Sequence, residues 1–145
     1  MNSDIFNPNN IQMDVRPADK EEAIRIAGGL LVENGYIEKE YIDAMLERES
    51  TLTTYIGNQV AIPHGTEEGK RYVKTSGISV IQVPEGVDFG DGQTARMVIA
   101  IAGKDGEHLD ILSKIALICA EEEKVQKMVT ANTKDQLMAC FDGVE

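Results

Sequence analysis

Apolar positions along this chain follow two periods, and each period marks its own set of elements. From Asp19 onward Ala23, Ile24, Ala27, Leu30 and Leu31 recur at helical spacing; Asp19 and Glu22 form a capping box ahead of them and Asn34-Gly35 closes the run. A second helix is predicted over about Glu38–Glu47, with a stripe of Tyr41 and Met45 that continues at i+7 onto Arg48. Gly77–Val83, GISVIQV, and Arg96–Ala102, RMVIAIA, are short β-rich apolar runs and read as buried central strands, with the Gly- and Asp-rich segment Pro84–Gln93 as a loop between them. Ile11–Val15 is expected as an edge strand, and Glu67–Lys74 as a loop or helical turn. From about Glu107 to Ala120 a helix carries Ile111, Leu112, Ile115, Ala116, Leu117, Ile118 and Cys119; apolar nearly all round, it is predicted to be deeply buried. Amphipathic helices over Glu121–Thr130 and Lys134–Phe141 complete the chain, the last opened by Thr133 and Gln136. Residues 1–10 are polar and Asn-rich and are expected to be frayed and flexible, leaving 11–145 as the domain.

One stretch stands apart from these periods. In Thr53–Thr66, TTYIGNQVAIPHGT, the extended pieces Thr53–Ile56 and Val60–Ile62 flank Gly57-Asn58-Gln59, a tight turn that predicts a small hairpin. Pro63 restricts its own backbone and that of Ile62, and Gly65 lets the chain pass close to its neighbours, so the segment is a rigid mount for His64. Two other residues carry a structural and a functional reading each. Arg48 either lays its stem on the core with its guanidinium in water, or turns into a pocket and binds an oxyanion. His108, in the first turn of its helix, is either a cap bonded to a loop carbonyl or a group at the positive end of the helix dipole, where an anion is stabilised. Phe89 belongs either to the core or to an exposed docking surface, the core being the ordinary place for a single aromatic.

Composition narrows the function. At 145 residues the chain is one domain with room for a real core. Its formal charge of −11, with 14 Lys and Arg against 25 Asp and Glu, argues against nucleic acid and suits a basic docking partner. No apolar run approaches the roughly 20 residues that span a bilayer, and the N-terminus lacks a basic segment followed by a hydrophobic core. A cytoplasmic location with no membrane insertion is therefore expected. Cys119 and Cys140 lie on helical stretches without metal-binding spacing, so each is expected to be a buried free thiol, with neither disulfide nor metal.

The segment around His64 resembles the active-site segment of the mannitol-type enzyme IIA domains of the bacterial phosphotransferase system. MLERE (Met45–Glu49), VPEGVDFG (Val83–Gly90) and EHLDIL (Glu107–Leu112) reinforce it in the same order, and the resemblance covers the chain after about residue 10. It implies an α/β fold, a mixed sheet of about five strands with helices on both faces. It also implies a phosphotransferase with His64 as nucleophile and a phosphohistidine intermediate, with Arg48 and His108 neutralising the transferring group. Gly65, Thr66 and Asn58 are the implied supporting residues, backbone N–H groups near Gly65 among them, and no cofactor or metal is called for. The implied partners are the phosphocarrier protein HPr as donor and an active-site cysteine on the IIB domain of a mannitol permease as acceptor. Some relatives carry Glu where this chain has Asn58, which can hydrogen-bond the histidine but supplies no charge. Two other readings stand beside this one: a regulatory, nitrogen-type IIA that signals by docking, and a small enzyme using His64 and His108 as general acid and base. Tyr55 and VPEGVDFG favour the mannitol type over the first, and the want of a second nucleophile, carboxylate dyad or cofactor fingerprint weighs against the second.

Overall fold

A computed structural model describes residues 2–142. Five strands form one mixed sheet: β1 (Ile11–Gln12), β2 (Tyr55–Gly57), β3 (Val60–Ala61), β4 (Gly77–Asp88) and β5 (Thr94–Ala102). Their spatial order is β1-β4-β5-β3-β2. β1 runs parallel to β4, β4 antiparallel to β5, β3 parallel to β5 and β2 antiparallel to β3. The helices are α1 (Lys20–Glu33), α2 (Glu40–Thr51), α3 (Glu107–Cys119), α4 (Glu122–Thr130) and α5 (Lys134–Ala139).

Strand alternation divides the core in two. Val98, Ala100 and Ala102 of β5 point to the side where Ile24, Leu31, Tyr41 and Met45 of α1 and α2 pack. Met97, Ile99 and Ile101 point to the other side, against Ile111, Ile115, Val125, Met128 and Leu137 of α3, α4 and α5. Helices thus cover both faces of a mixed sheet, as the resemblance implies.

Helix ends follow the sequence signals closely. Asp19 accepts a hydrogen bond from the Glu22 N–H at 2.9 Å, while the Glu22 carboxylate reaches back to the Ala18 N–H at 3.2 Å. Gly35, at φ +83°, closes α1: its N–H bonds Val32 and that of Tyr36 bonds Leu31. This 6→1 and 5→2 pair needs a left-handed residue. Helix α2, expected over Glu38–Glu47, starts and stops later. Residue 38 lies outside it, with its N–H donating to the Tyr72 carbonyl at 2.9 Å. At the far end the Arg48 guanidinium donates to the carbonyl of Leu52, so the helix runs on to Thr51.

Four other expectations are corrected. The segment before Ile11 is packed rather than frayed: Phe6 is buried edge-to-face on Phe141 at 4.9 Å, and the Ile5 carbonyl accepts the Ile78 N–H at 2.9 Å. Pro84–Gln93 is only partly a loop, since β4 continues through a register shift to Asp88 and leaves just Phe89–Gln93 at the tip. Phe89 is buried in the core. Helix α3 is not buried all round. Ile111, Ile115, Ile118 and Cys119 face inward, but Leu109 and Leu117 are 73% and 71% exposed, because the sheet covers only one side of the helix. Cys119 is a buried thiol whose pKa burial pushes up to about 12; Cys140 is half-buried, and both are free.

Candidate functional site

The hairpin forms where it is predicted. Asn58 and Gln59 take φ of +50° and +68°, a left-handed pair that lets a two-residue turn follow the twist of β2 and β3. The Gln59 carbonyl accepts from Arg96 and Met97 N–H groups at 2.7 and 3.1 Å, which pins the turn to β5. Asn58 does not act as a partner of the histidine. Its side-chain amide donates to the Cys119 and Ala120 carbonyls at 3.0 and 3.3 Å, closing the C-terminus of α3, and no hydrogen bond joins it to His64.

Past β3 the chain stays on β5 just long enough to present the histidine. The Pro63 carbonyl accepts the Ile101 N–H at 2.9 Å, and His64 bridges Ile101 in parallel register. The imidazole is half-buried, with Nδ1 2.9 Å from the carbonyl oxygen of Ile62. A carbonyl only accepts, so Nδ1 carries the proton and the lone pair of the neutral ring sits on Nε2. Burial is the main influence holding the His64 pKa below its usual 6.5; the Ile62 hydrogen bond opposes it, Arg48 lowers it further and Glu49 raises it.

The next residue is clamped by α2. Tyr41 accepts the Gly65 N–H at 2.9 Å and donates its hydroxyl proton to the Ile101 carbonyl, also at 2.9 Å. Burial pushes the Tyr41 pKa up to about 12, so the hydroxyl stays protonated. The Gly65 N–H, one of the implied donors, is therefore engaged by Tyr41. Thr66 is likewise occupied locally, its hydroxyl accepting the Gly69 N–H at 3.2 Å at the 3-10 turn Glu68–Tyr72.

His108 and His64 meet, with ring centroids 5.2 Å apart and planes inclined by 58°. The loop before α3 sets this approach. Ser76 accepts the Lys104 N–H at 2.8 Å and donates to Glu107 at 2.7 Å, and a side chain at Gly103 would collide with the backbone of His108. Burial first, then the neighbouring His64 and Lys70, bring the His108 pKa down to about 4. Both rings are thus neutral near pH 7. Arg48, fixed to the end of α2 through Leu52, places its charge where it acts on His64. The fold brings His64 and His108 into contact, holds Arg48 on the Leu52 carbonyl within electrostatic reach of His64, ties Gly65 to Tyr41 and Thr66 to Gly69, and sends Asn58 to the end of α3.

Tyr41 and Glu49 are further polar members of this neighbourhood. The sequence carries a signal for each. A buried tyrosine needs a partner for its hydroxyl, and Glu49 stands at i+4 from Met45 on the core stripe, where a charge is out of place. A groove of about 490 Å³ between α4 and α5, lined by Lys124, Lys127 and Cys140 among others, shares no residue with the histidine pair.

A neutral imidazole with its lone pair on Nε2, with a second neutral imidazole against it on a five-stranded mixed sheet, is a group able to act as a nucleophile near pH 7. The chain belongs to the family described as phosphoenolpyruvate-dependent sugar phosphotransferase system, EIIA 2, which it matches over residues 4–143. It is 52% identical over 144 residues to the mannitol-specific phosphotransferase enzyme IIA component of Geobacillus stearothermophilus, covering 99% of each chain. The protein of the same name from Bacillus subtilis (strain 168) is 53% identical over 135 residues, covering 93% of this chain and 94% of that one. Among solved structures, the complex of the mannitol enzyme IIA with phosphorylated enzyme IIB from Escherichia coli superposes with a TM-score of 0.90 at 37% identity, over 95% of this chain and 97% of the other. Among the described residues no helix is long and apolar enough to cross a membrane.

Proposed function

We propose that this chain is the IIA component of a mannitol phosphotransferase system, and that His64 carries the phosphoryl group between two protein partners in the cytoplasm. The observation that supports this most directly is the Nδ1 to Ile62 hydrogen bond, which leaves Nε2 as the nucleophile beside His108 and Arg48. HPr is the donor: the Nε2 lone pair attacks phosphorus, and the P–N bond to the donor histidine breaks with its electron pair returning to that ring. In the second transfer a cysteine thiolate of the mannitol-specific IIB domain attacks the same phosphorus, and the pair of the breaking bond returns to His64 Nε2. Neutral His64 is competent for the first step at pH 7 because burial holds its pKa down. Arg48 and His108 bear on the phosphoryl oxygens, where transfer is governed by positioning and charge.

A mannitol role is preferred to a nitrogen-regulatory one because the relatives at about half identity over nearly the whole chain carry the mannitol-specific name. Exposed Leu109, next to His108, and Leu52, whose carbonyl holds Arg48, offer apolar contacts to an arriving partner. The test is intact-mass analysis after incubation with phosphorylated HPr, followed by site mapping under alkaline conditions that preserve phosphohistidine. The expected result is one phosphoryl group on His64, discharged when the mannitol IIB domain is added. Label retained in the presence of IIB would favour the regulatory reading, and no label would refute both.

A further inference from the structure

We propose that Glu49 is a positioning residue for the phosphoryl-accepting nitrogen of His64, acting through the hydrogen-bonded sequence Glu49, Thr54, Ile62, His64. Each link is short. Glu49 Oε1 accepts from the Thr54 N–H at 3.0 Å and from the Thr54 hydroxyl at 2.6 Å. The Thr54 carbonyl accepts the Ile62 N–H at 3.0 Å, and the Ile62 carbonyl accepts the His64 Nδ1–H at 2.9 Å. These links use different peptide units of Thr54 and of Ile62, so the series transmits position rather than polarisation. With Thr54 held at its N–H, its hydroxyl and its carbonyl, the peptide that bears the Ile62 carbonyl has little freedom to turn away from the imidazole. That carbonyl is what keeps the proton on Nδ1 and the lone pair on Nε2.

The carboxylate is an expensive way to hold a loop, which is the second reason to assign it a role. Glu49 is only 5% exposed. Its other oxygen, Oε2, lies 3.6 Å from Lys20 Nζ and has no hydrogen-bond partner. A buried charge with an unsatisfied oxygen costs stability that an apolar side chain at the same core-facing position would not. Lys20, which also donates to the Phe89 carbonyl at 3.5 Å, ties the carboxylate to the start of α1 and to the β4–β5 hairpin. Glu49 therefore joins the ends of α1 and α2 to the strand entering the histidine hairpin, next in sequence to Arg48.

The inference rests on the reading of His64 as phosphoryl acceptor, and its test separates the two. ¹⁵N NMR of the histidine rings in the unphosphorylated protein requires no donor. Parent protein is expected to show His64 protonated at Nδ1 alone, and Glu49→Gln to show exchange between the two ring tautomers. Phosphoramidate, a small phosphoryl donor that needs no docking, should label Glu49→Gln about ten- to a hundredfold more slowly than parent. Thr54→Val, which loses only the hydroxyl link, should move in the same direction, and Thr54→Ser should restore parental tautomer and rate. If Glu49→Gln fails to fold, the Thr54 pair decides. Parental ring shifts in folded Glu49→Gln and in Thr54→Val overturn the proposal, even where labelling slows. A parent that never labels but shows the tautomer change on substitution refutes the acceptor reading and leaves the positioning one.

Discussion

Tyr41 and Gly65 are fitted so closely that a side chain at residue 65 has no room. The tyrosine hydroxyl takes the glycine N–H at 2.9 Å, and a Cβ at residue 65 would lie 2.6 Å from Cε1 of the ring. The contact anchors the residue after His64 to α2, as the Ile62 carbonyl anchors its ring. Tyr41→Phe leaves the buried Gly65 N–H and Ile101 carbonyl without their partner, at a cost of about 1–3 kcal/mol. Chemical denaturation should show that loss with an unchanged m-value, and phosphoryl transfer should slow. Gly65→Ala should be worse than Tyr41→Phe, since the rigid ring must move.

His64→Ala is expected to fold and to accept no phosphoryl group. The ring is half-buried, and the contacts that hold the hairpin, Gln59 to β5 and Pro63 to Ile101, are made by backbone. Melting curves and intact-mass measurement on one preparation check both statements. A fully labelled variant would move the acceptor elsewhere.

Arg48→Gln and His108→Gln should each reduce the transfer rate by about a hundredfold while His64 stays in place, the usual cost of losing one preorganised partner of a developing oxyanion. The variants differ in a second measurement. Arg48 also caps α2 through Leu52, so Arg48→Gln should lower the melting temperature slightly. Parental transfer in both would reduce the site to His64.

Acid should weaken the fold through these same rings. His108 has its folded pKa near 4, against 6.5 for the free side chain. Between those values the unfolded chain binds a proton that the folded chain refuses, so stability is complete above pH 6.5 and is lost as pH falls toward 4. The lowered His64 pKa acts in the same direction. Melts of parent and His108→Gln across this window should show a shallower acid slope in the variant. The same depression should keep parental transfer rates level as pH drops from 7.5 to 6.5.

Transfer from a basic-faced partner should slow as salt is raised, because a chain of charge −11 steers such a partner at long range. Bimolecular rates over a series of ionic strengths measure this, and a rate indifferent to salt would leave apolar contacts such as Leu109 and Leu52 to account for docking.

Local chemistry wrote much of this protein into its sequence. The caps at Asp19, Asn34-Gly35 and Thr133 formed as read, as did the hairpin turn at Asn58-Gln59, because each depends only on residues within a few positions. The two central strands were legible because both their faces are buried, and His64 because Pro63 and Gly65 frame it. Tertiary structure decided the rest, because which groups meet across the sheet depends on packing. Which side of α3 meets water depends on how much of the helix the sheet covers, and so Leu109 and Leu117 are exposed. Asn58 turned to the open carbonyls ending α3, 61 and 62 residues away, and the Gly65 N–H went to a tyrosine 24 residues earlier. Backbone groups orphaned by the fold take the nearest polar side chain, and nearness across a sheet is set by packing.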